Sequence, residues 1–363
     1  MKKIVFVHLL NDFSGSPKVL SQVINNFKDK GFEIDLYTSK SKEGFLTGIT
    51  ANHHYFAYKR FNNRYLTLIT FFFSQCILFF KLLKYKNKDV VFYINTMLPF
   101  GAGLAGKCLG KETVYHIHET SINPVLFKKF LRVIVQFSAS KILYVSNALK
   151  HSERFDKKDE FVIHNALSDN FRDKTQDHGY TSTDSEGDFN VVMVCSLKAY
   201  KGVNEFVQVA KNCKETPHIK FLLILNAHEN EIKNFFSDQT LPNNLKLFPV
   251  QSNLHPFYEE ASLLLNLSRV DEWVETFGLT ILEAMAYGVP VIVPPVGGPA
   301  EIVTHDKEGY LIDSSKTDDI ALKIQYLYNN SDKCKSLSKN ALQRSLDFTE
   351  ENFNKNITDV IES

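Results

Sequence analysis

The chain contains no CxxC pair: its five cysteines, Cys76, Cys108, Cys195, Cys213 and Cys334, are scattered over 363 residues. Such spacing excludes a zinc ribbon, argues against a disulfide framework and suits a reducing cytosol. No stretch offers the about eighteen uninterrupted apolar residues of a spanning helix. An excess of one charge is also missing. Lys and Arg number 42 against 41 Asp and Glu, a formal net charge of +1, so bulk charge points to no partner and nucleic acid is not expected. The loop Asn11–Ser16 holds a single glycine, Gly15, and lacks the G-x-G-x-x-G of dinucleotide binding, which disfavours an NAD enzyme. The start, MKKIVFVHLLND, has a short apolar run that contains His8 and ends at Asn11–Asp12 without a small-residue cleavage site. It reads as a first buried strand rather than a secretory signal. No internal repeat or low-complexity tail appears.

What is present centres on Glu275–Pro290, ETFGLTILEAMAYGVP. It reads as a loop, a short apolar helix starting at Gly278, a stop at Gly288 and a buried strand. Glu275 and Glu283 are eight residues apart, about 80° around a continuous helix, but Glu275 is expected in the loop and Glu283 within the first turns. The amides of Gly278, Leu279 and Thr280 then lie unpaired at the positive end of a helix dipole, an anion site that Gly278 lets a phosphate approach. Helical side chains lean toward the N-terminus, so the Glu283 carboxylate can reach the same mouth and accept two hydrogen bonds from a vicinal diol such as ribose. A bland alternative stands beside this one: Thr280 and Glu283 also fit a capping box, which makes Glu283 structural.

The E-x7-E string, with Phe277–Gly278 after the first Glu and EAMAxGxPVI after the second, resembles the signature of family 4 retaining glycosyltransferases. The resemblance continues in VGGPAEIV, from Val296 to Val303, and GYLI, from Gly309 to Ile312. It implies an α/β GT-B fold, two Rossmann-like parallel-sheet domains facing each other across a cleft, with a C-terminal helix crossing back to the first domain. The expected division is residues 1–171, an acceptor-side domain; 172–188, a polar linker; 189–346, a nucleotide-sugar-binding domain; and 347–363, the returning helix. At Ser196–Gly202, SLKAYKG, the family usually has G-R-L-x-x-x-K-G, whose Arg and Lys clamp the donor diphosphate. Lys201–Gly202 are kept, Cys195 and Ser196 replace the Gly and Arg, and Lys198 is a candidate for the missing charge. Either lysine could instead be a solvated surface residue. The resemblance also places Gly15 against the diphosphate, although a plain turn glycine is the alternative, and Val250 near the base. Ser268–Arg269 stands where Pro–Ser is frequent, and Asp271, Glu272 and Trp273 lengthen the loop. Trp273 is read either as a sugar platform or as a shield for that loop.

Taken in order, Ile4–Leu9 is the first strand, Ser16 an N-cap, Pro17 the first helical residue, Gly31 the stop, and Phe32, Ile34 and Leu36 alternate as the second strand. Such a βαβ start implies a parallel sheet. Residues 59–88 hold seven Lys or Arg and no acid around the apolar YLTLITFFFSQCILFF. A buried helix and a helix resting on an anionic membrane surface both fit, while Thr67, Thr70, Ser74 and Gln75 argue against full spanning. Pro124–Phe137, with Lys128, Lys129 and Arg132, is a second basic, apolar helix. Val90–Ile94 and Thr113–Ile117 are strands, the latter ending in YHIHET. His116 and His118 share one side of it; a metal is not expected, since no acid or cysteine at ligand spacing completes a set. His118 lies at a strand's carboxyl end, where open α/β sheets bind ligands, and the resemblance places a His there beside the transferred sugar, with His116 the alternate. Further strands are expected at Ile142–Val145, Phe161–His164, Val191–Cys195, Phe221–Leu225, Leu245–Phe248 and Leu263–Leu267.

The expected activity is therefore retaining, metal-independent transfer from a UDP- or GDP-sugar to a saccharide, with no cofactor. Glu275 and His118 are the catalytic candidates. Gly15, Lys198, Lys201, Val250, Phe277, Gly278, Leu279, Thr280 and Glu283 are the donor-binding ones. The acceptor is expected to be lipid-linked, as in surface polysaccharide or glycolipid biosynthesis, and the enzyme cytoplasmic, peripheral on the inner face of the cytoplasmic membrane. A GT-B protein that binds nucleotide sugar but is catalytically silent is the alternative, supported by Ser196. A phosphorylase or epimerase of the same fold ranks below it.

Overall fold

The computed structural model describes residues 3–40, 43–61, 63–175, 179–180 and 187–363. The chain divides into two units, Met1–Asn165 with Glu351–Ser363, and Ala166–Glu350. In the first, β1 (Lys3–Val7), β2 (Glu33–Ser39), β3 (Asn52–Phe56), β4 (Val90–Asn95), β5 (Thr113–Ile117), β6 (Lys141–Tyr144) and β7 (Asp159–Val162) form a parallel sheet in the order β3-β2-β1-β4-β5-β6-β7. Ile4 lies beside Ile34 and Val91, and Ile4–Val7 are completely buried. The alternation expected around Ile34 and Leu36 is not observed: Ile34–Ser39 are buried on both faces, as in a sheet with helices on each side. The edge strand β3, NHHYF, was not foreseen. It is polar and mostly accessible, so it carries no hydrophobic signal.

Helix α1 (Gly15–Asp29) starts earlier than Ser16 and Pro17 indicate. Ser14 takes the cap position, where its amide donates to Asp12 Oδ1 at 2.9 Å. Gly31 does stop the helix, at φ 81°. Helix α2 (Arg64–Leu82) is capped by Asn63 and packs on α3 (Phe100–Cys108), which in turn packs on α4 (Val125–Ser138). With the turn that follows it, α2 is long and apolar enough to cross a membrane by length and composition, although its apolar run is not continuous. The polar residues that interrupt its run are used inside the unit. Gln75 is fully buried and accepts from the Gly101 amide at 3.1 Å.

The second unit carries β8 (Phe189–Ser196), β9 (Ile219–Asn226), β10 (Leu245–Phe248), β11 (Leu263–Leu265), β12 (Val291–Val293) and β13 (Gly309–Leu311), all parallel, in the order β10-β9-β8-β11-β12-β13. Its core gathers Val191, Phe206, Phe221, Leu263 and Ile292. The units divide at Asn165–Ala166, ahead of the polar segment expected at 172–188. Arg172 shows why: it closes a short helix, Asp169–Asp173, and donates to the Ser345 and Phe348 carbonyls at 2.6 and 3.0 Å. Residues 176–178 and 181–186 of that segment lie outside the described residues. The last helix, Glu350–Glu362, belongs from Glu351 onward to the first unit. There Thr358 accepts from Asn26 at 3.1 Å and the Val360 carbonyl from Lys141 at 2.8 Å.

Candidate active site

The helix of the signature string runs Leu279–Ala286 and is capped by Gly278 at φ 104°, a left-handed conformation that glycine alone adopts without strain. Ile281 and Leu282 are the first amides to bond back, both to the Gly278 carbonyl. Helix geometry therefore leaves the Leu279 and Thr280 amides pointing out of the N-terminus. Thr280 is the second helical residue, not a cap, so the capping-box reading of Thr280 and Glu283 is overturned. Glu283 instead accepts from the Tyr258 hydroxyl at 2.6 Å and is 3% exposed. Burial, reinforced by this carboxylate, pushes the Tyr258 hydroxyl far above its usual range and keeps it a donor. Phe277 is buried in front of the helix and packs edge-on to Phe348.

Glu275 stands in the preceding loop, half-buried, and forms an ion pair with Lys201 Nζ at 2.7 Å. Ser268 Oγ lies 3.4 Å from the same carboxylate oxygen. The glycines of VGGPAEIV hold that loop in place. Gly298 N donates to the Glu275 carbonyl at 2.9 Å, and a Cβ on Gly297, at φ 75°, would run into that carbonyl. Lys201 also stands 5.1 Å from the Trp273 ring centroid, and Trp273 stacks on Tyr200 at 4.9 Å and 19°. One face of Trp273 is thus occupied by the protein itself. Gly202 follows at φ 81° and caps helix Val203–Asn212; a Cβ there would meet the Leu267 carbonyl. Lys198 is exposed, and its side chain makes no hydrogen bond or ion pair among the described residues, so it does not join this cluster. Burial pushes the Cys195 thiol up to about 12, which keeps it un-ionised. Val250, after β10, is 39% exposed, and its amide donates to the Ala227 carbonyl at 3.0 Å. Lys201, Val250, Glu275 and the Leu279–Ala286 helix all follow carboxyl ends of parallel strands, the ligand-binding edge of an open α/β sheet.

The first unit presents its own cluster at the equivalent edge. Asn95, ending β4, is fully buried; its Nδ2 donates to the Ser16 carbonyl at 3.2 Å, and its Oδ1 lies 2.9 Å from His118 Nε2. Since Nδ2 faces a carbonyl, Oδ1 must accept, and His118 Nε2 carries the proton. Asn95 thereby ties the start of α1, where Gly15 lies exposed, to His118. His116 and His118 do share one side, with rings 4.2 Å apart, but His116 is fully buried against the Tyr93 hydroxyl at 2.7 Å and is no substitute for His118. Sequence reasoning missed Asn95 and Glu119. Glu119 accepts from the Met97 and His118 amides at 2.8 and 3.2 Å. Its place beside the HIH run was the only signal.

These groups set a pH dependence. Burial lowers His8 to about 4 and His116 to about 3, and holds His118 well below its usual range. Below about 6.5 the unfolded chain binds protons these histidines refuse, so their stability contribution, present above that pH, is lost on acidification. Burial raises Glu119 to about 7, which works oppositely: its contribution is present below about 4.5 and lost as pH rises through 7. Glu119→Gln is therefore expected to steepen the fall in melting temperature between about pH 6.5 and 4.5. Thermal scans of both proteins across that window check this; parallel curves would show that Glu119 does not titrate there.

Residues 181–344 match the family model for glycosyl transferases group 1. The chain is a glycosyltransferase that carries a group 1, family 4-like domain. This glycosyltransferase is 26% identical over 268 residues to N-acetyl-alpha-D-glucosaminyl L-malate synthase of Bacillus anthracis, covering 68% of each chain. It is 30% identical over 169 residues to an uncharacterized glycosyltransferase of Methanocaldococcus jannaschii, covering 46% of each. Among solved structures it resembles Anabaena HepE in complex with UDP-glucose, with a TM-score of 0.81 at 18% identity over 99% of both chains. That likeness bears on the fold, which is GT-B.

Proposed function

We propose that the glycosyltransferase moves a sugar, with retention, from a nucleotide-diphosphate sugar to a saccharide acceptor without a metal. The carrying observation is the Lys201–Glu275 pair, which sets a cation and a carboxylate in the loops around a glycine-capped helix start. Lys201 and the Leu279 and Thr280 amides would neutralise the charge that grows on the leaving diphosphate. Glu283 would hold the ribose, Phe277 and Val250 would flank the nucleotide, and Glu275 would orient the sugar and stabilise its cationic character. Lys198 is proposed as a second cation that swings onto the diphosphate, and Gly15 and His118 take the diphosphate and sugar contacts the resemblance assigns them. UDP is favoured over GDP by the ligand named with the Anabaena protein. Incubating the full chain with UDP- and GDP-sugars, chelator present, is expected to release nucleotide slowly from at least one donor. Release from none of them would sink the donor assignment.

The acceptor is proposed to be lipid-linked and the enzyme peripheral on a membrane surface. The outward face of α2 supports this, with Ile69, Phe73 and Phe80 at 64%, 64% and 69% exposure. On α4, Leu126 and Val133 reach 78% and 67%, and the two faces meet where Phe72 and Phe130 pack at 5.5 Å. Basic residues flank α2 at both ends. Those of α4 contribute less than its sequence indicates. Lys128 and Arg132 are both paired with the buried Glu153, and Lys129 alone of the three is left outward.

A further inference from the structure

At the free edge of the first sheet, a cavity of about 340 Å³ opens between β3 and the end of α2, lined by Tyr37, His53, His54, Tyr55, Lys81 and Lys84. None of these is acidic. The carboxylate beside the cavity, Asp35, is 3% exposed, stands 3.7 Å from His54 Nε2 and is already satisfied. Asn52 Nδ2 donates to it at 2.9 Å, Lys3 Nζ lies at 3.4 Å, and the Tyr85 hydroxyl makes a short bond to it. Lys81 and Lys84 form no salt bridge among the described residues. Lys81 donates to the Tyr55 carbonyl at 2.7 Å, which leaves two of its three donors. Lys84 Nζ stands 3.5 Å from His54 Nε2 and 5.4 Å from the Tyr37 ring centroid. The negative end of the α2 dipole, roughly half a charge, opposes an anion here, but two ammonium groups outweigh it. The ligand class is thus a compact anion with several acceptor oxygens.

The neighbouring surface narrows the class further. Ile69, Phe73, Phe80 and Lys84 recur on one face of α2 and its extension at steps of four, seven and four residues. The exposed apolar stripe therefore runs directly into the cationic pocket. We infer that this pocket binds a phosphate group, that of a phospholipid whose chains lie along the outward face of α2. The lipid part rests on the membrane-surface reading above, whereas the phosphate part does not.

The test uses the full chain with two kinds of probe. In sedimentation with phosphatidylcholine vesicles containing phosphatidic acid, Lys81→Gln with Lys84→Gln is expected to weaken binding about thirtyfold. Lys86→Gln with Lys88→Gln, which removes the same charge one turn beyond the pocket, should change it by less than about threefold. With glycerol 3-phosphate as the soluble probe, the imidazole signal of His54 in the unsubstituted protein should shift saturably and its pKa should rise. Phe73→Ser with Phe80→Ser should abolish vesicle binding and leave that titration intact. A saturable His54 shift with equal vesicle losses in the two lysine pairs would keep the phosphate site and overturn its lipid source. No saturable shift together with equal losses would overturn the site altogether, the surface then acting by diffuse charge. Absence of vesicle binding by the unsubstituted protein would instead remove the membrane-surface reading, and the His54 titration would still decide the phosphate site.

Discussion

Replacing Glu275 by alanine is expected to lower the transfer rate by about a hundredfold or more while nucleoside diphosphate affinity stays within about threefold. Glu275 sits in the loop before the signature helix rather than on it, so its loss leaves the helix N-terminus and Glu283 in place. What disappears is the carboxylate proposed to orient the sugar, which pairs with Lys201 at 2.7 Å. Only an interaction stronger in the transition state than in the ground state should change turnover without changing nucleotide binding. Glu275→Gln keeps the size and an acceptor oxygen but not the charge, and is expected to be nearly as impaired. Initial-rate kinetics with the donor found in the panel, together with calorimetric titration of the diphosphate, make the comparison. Normal turnover in the alanine variant would take Glu275 out of the mechanism, with the ion pair then serving only to hold the loop.

The second large effect is expected at Glu283. Glu283→Ala should weaken nucleoside diphosphate binding by on the order of a hundredfold, the worth of two hydrogen bonds from ribose hydroxyls to a charged acceptor. The same variant leaves the buried Tyr258 hydroxyl without its 2.6 Å acceptor, so a lower melting temperature is also expected. Tyr258→Phe separates the two consequences. It removes the hydroxyl and keeps the carboxylate, so it should affect stability more than affinity. If the alanine variant melted early but bound the diphosphate normally, Glu283 would be a structural partner of Tyr258 and the ribose would have to be held elsewhere.

These two carboxylates also show how far the sequence reaches. Gly278, Gly288 and the apolar run between them located the signature helix closely, because a positive φ is available to glycine and the helix must stop where the chain reverses. The buried strands were legible for the same local reason: parallel strands covered on both faces leave continuous apolar runs. Edge strand β3 was not, since its NHHYF has no apolar period and is placed by pairing with β2. Ser14 rather than Ser16 stands at the start of α1, with its amide bonded to Asp12, a contact the spacing of serine and proline did not reveal. Arg172, polar and surrounded by polar residues, read as linker but is anchored by carbonyls far along the chain.

Local pattern alone determined two α/β series, the glycine-capped helix, the paired carboxylates and the aromatic, basic stretch of α2. Those properties depend on neighbours within a few residues, where propensity and backbone geometry dominate. Which side chains meet was decided only by the tertiary structure. It joined Lys201 to Glu275 and Tyr258 to Glu283, enclosed Asn95 between α1 and His118, spent Lys128 and Arg132 on Glu153, and left Lys81 and Lys84 facing a pocket. Each of these pairings brings together residues from separate elements, and a charge or hydrogen bond acts on whatever the fold sets within a few ångströms of it, not on what precedes it in the chain.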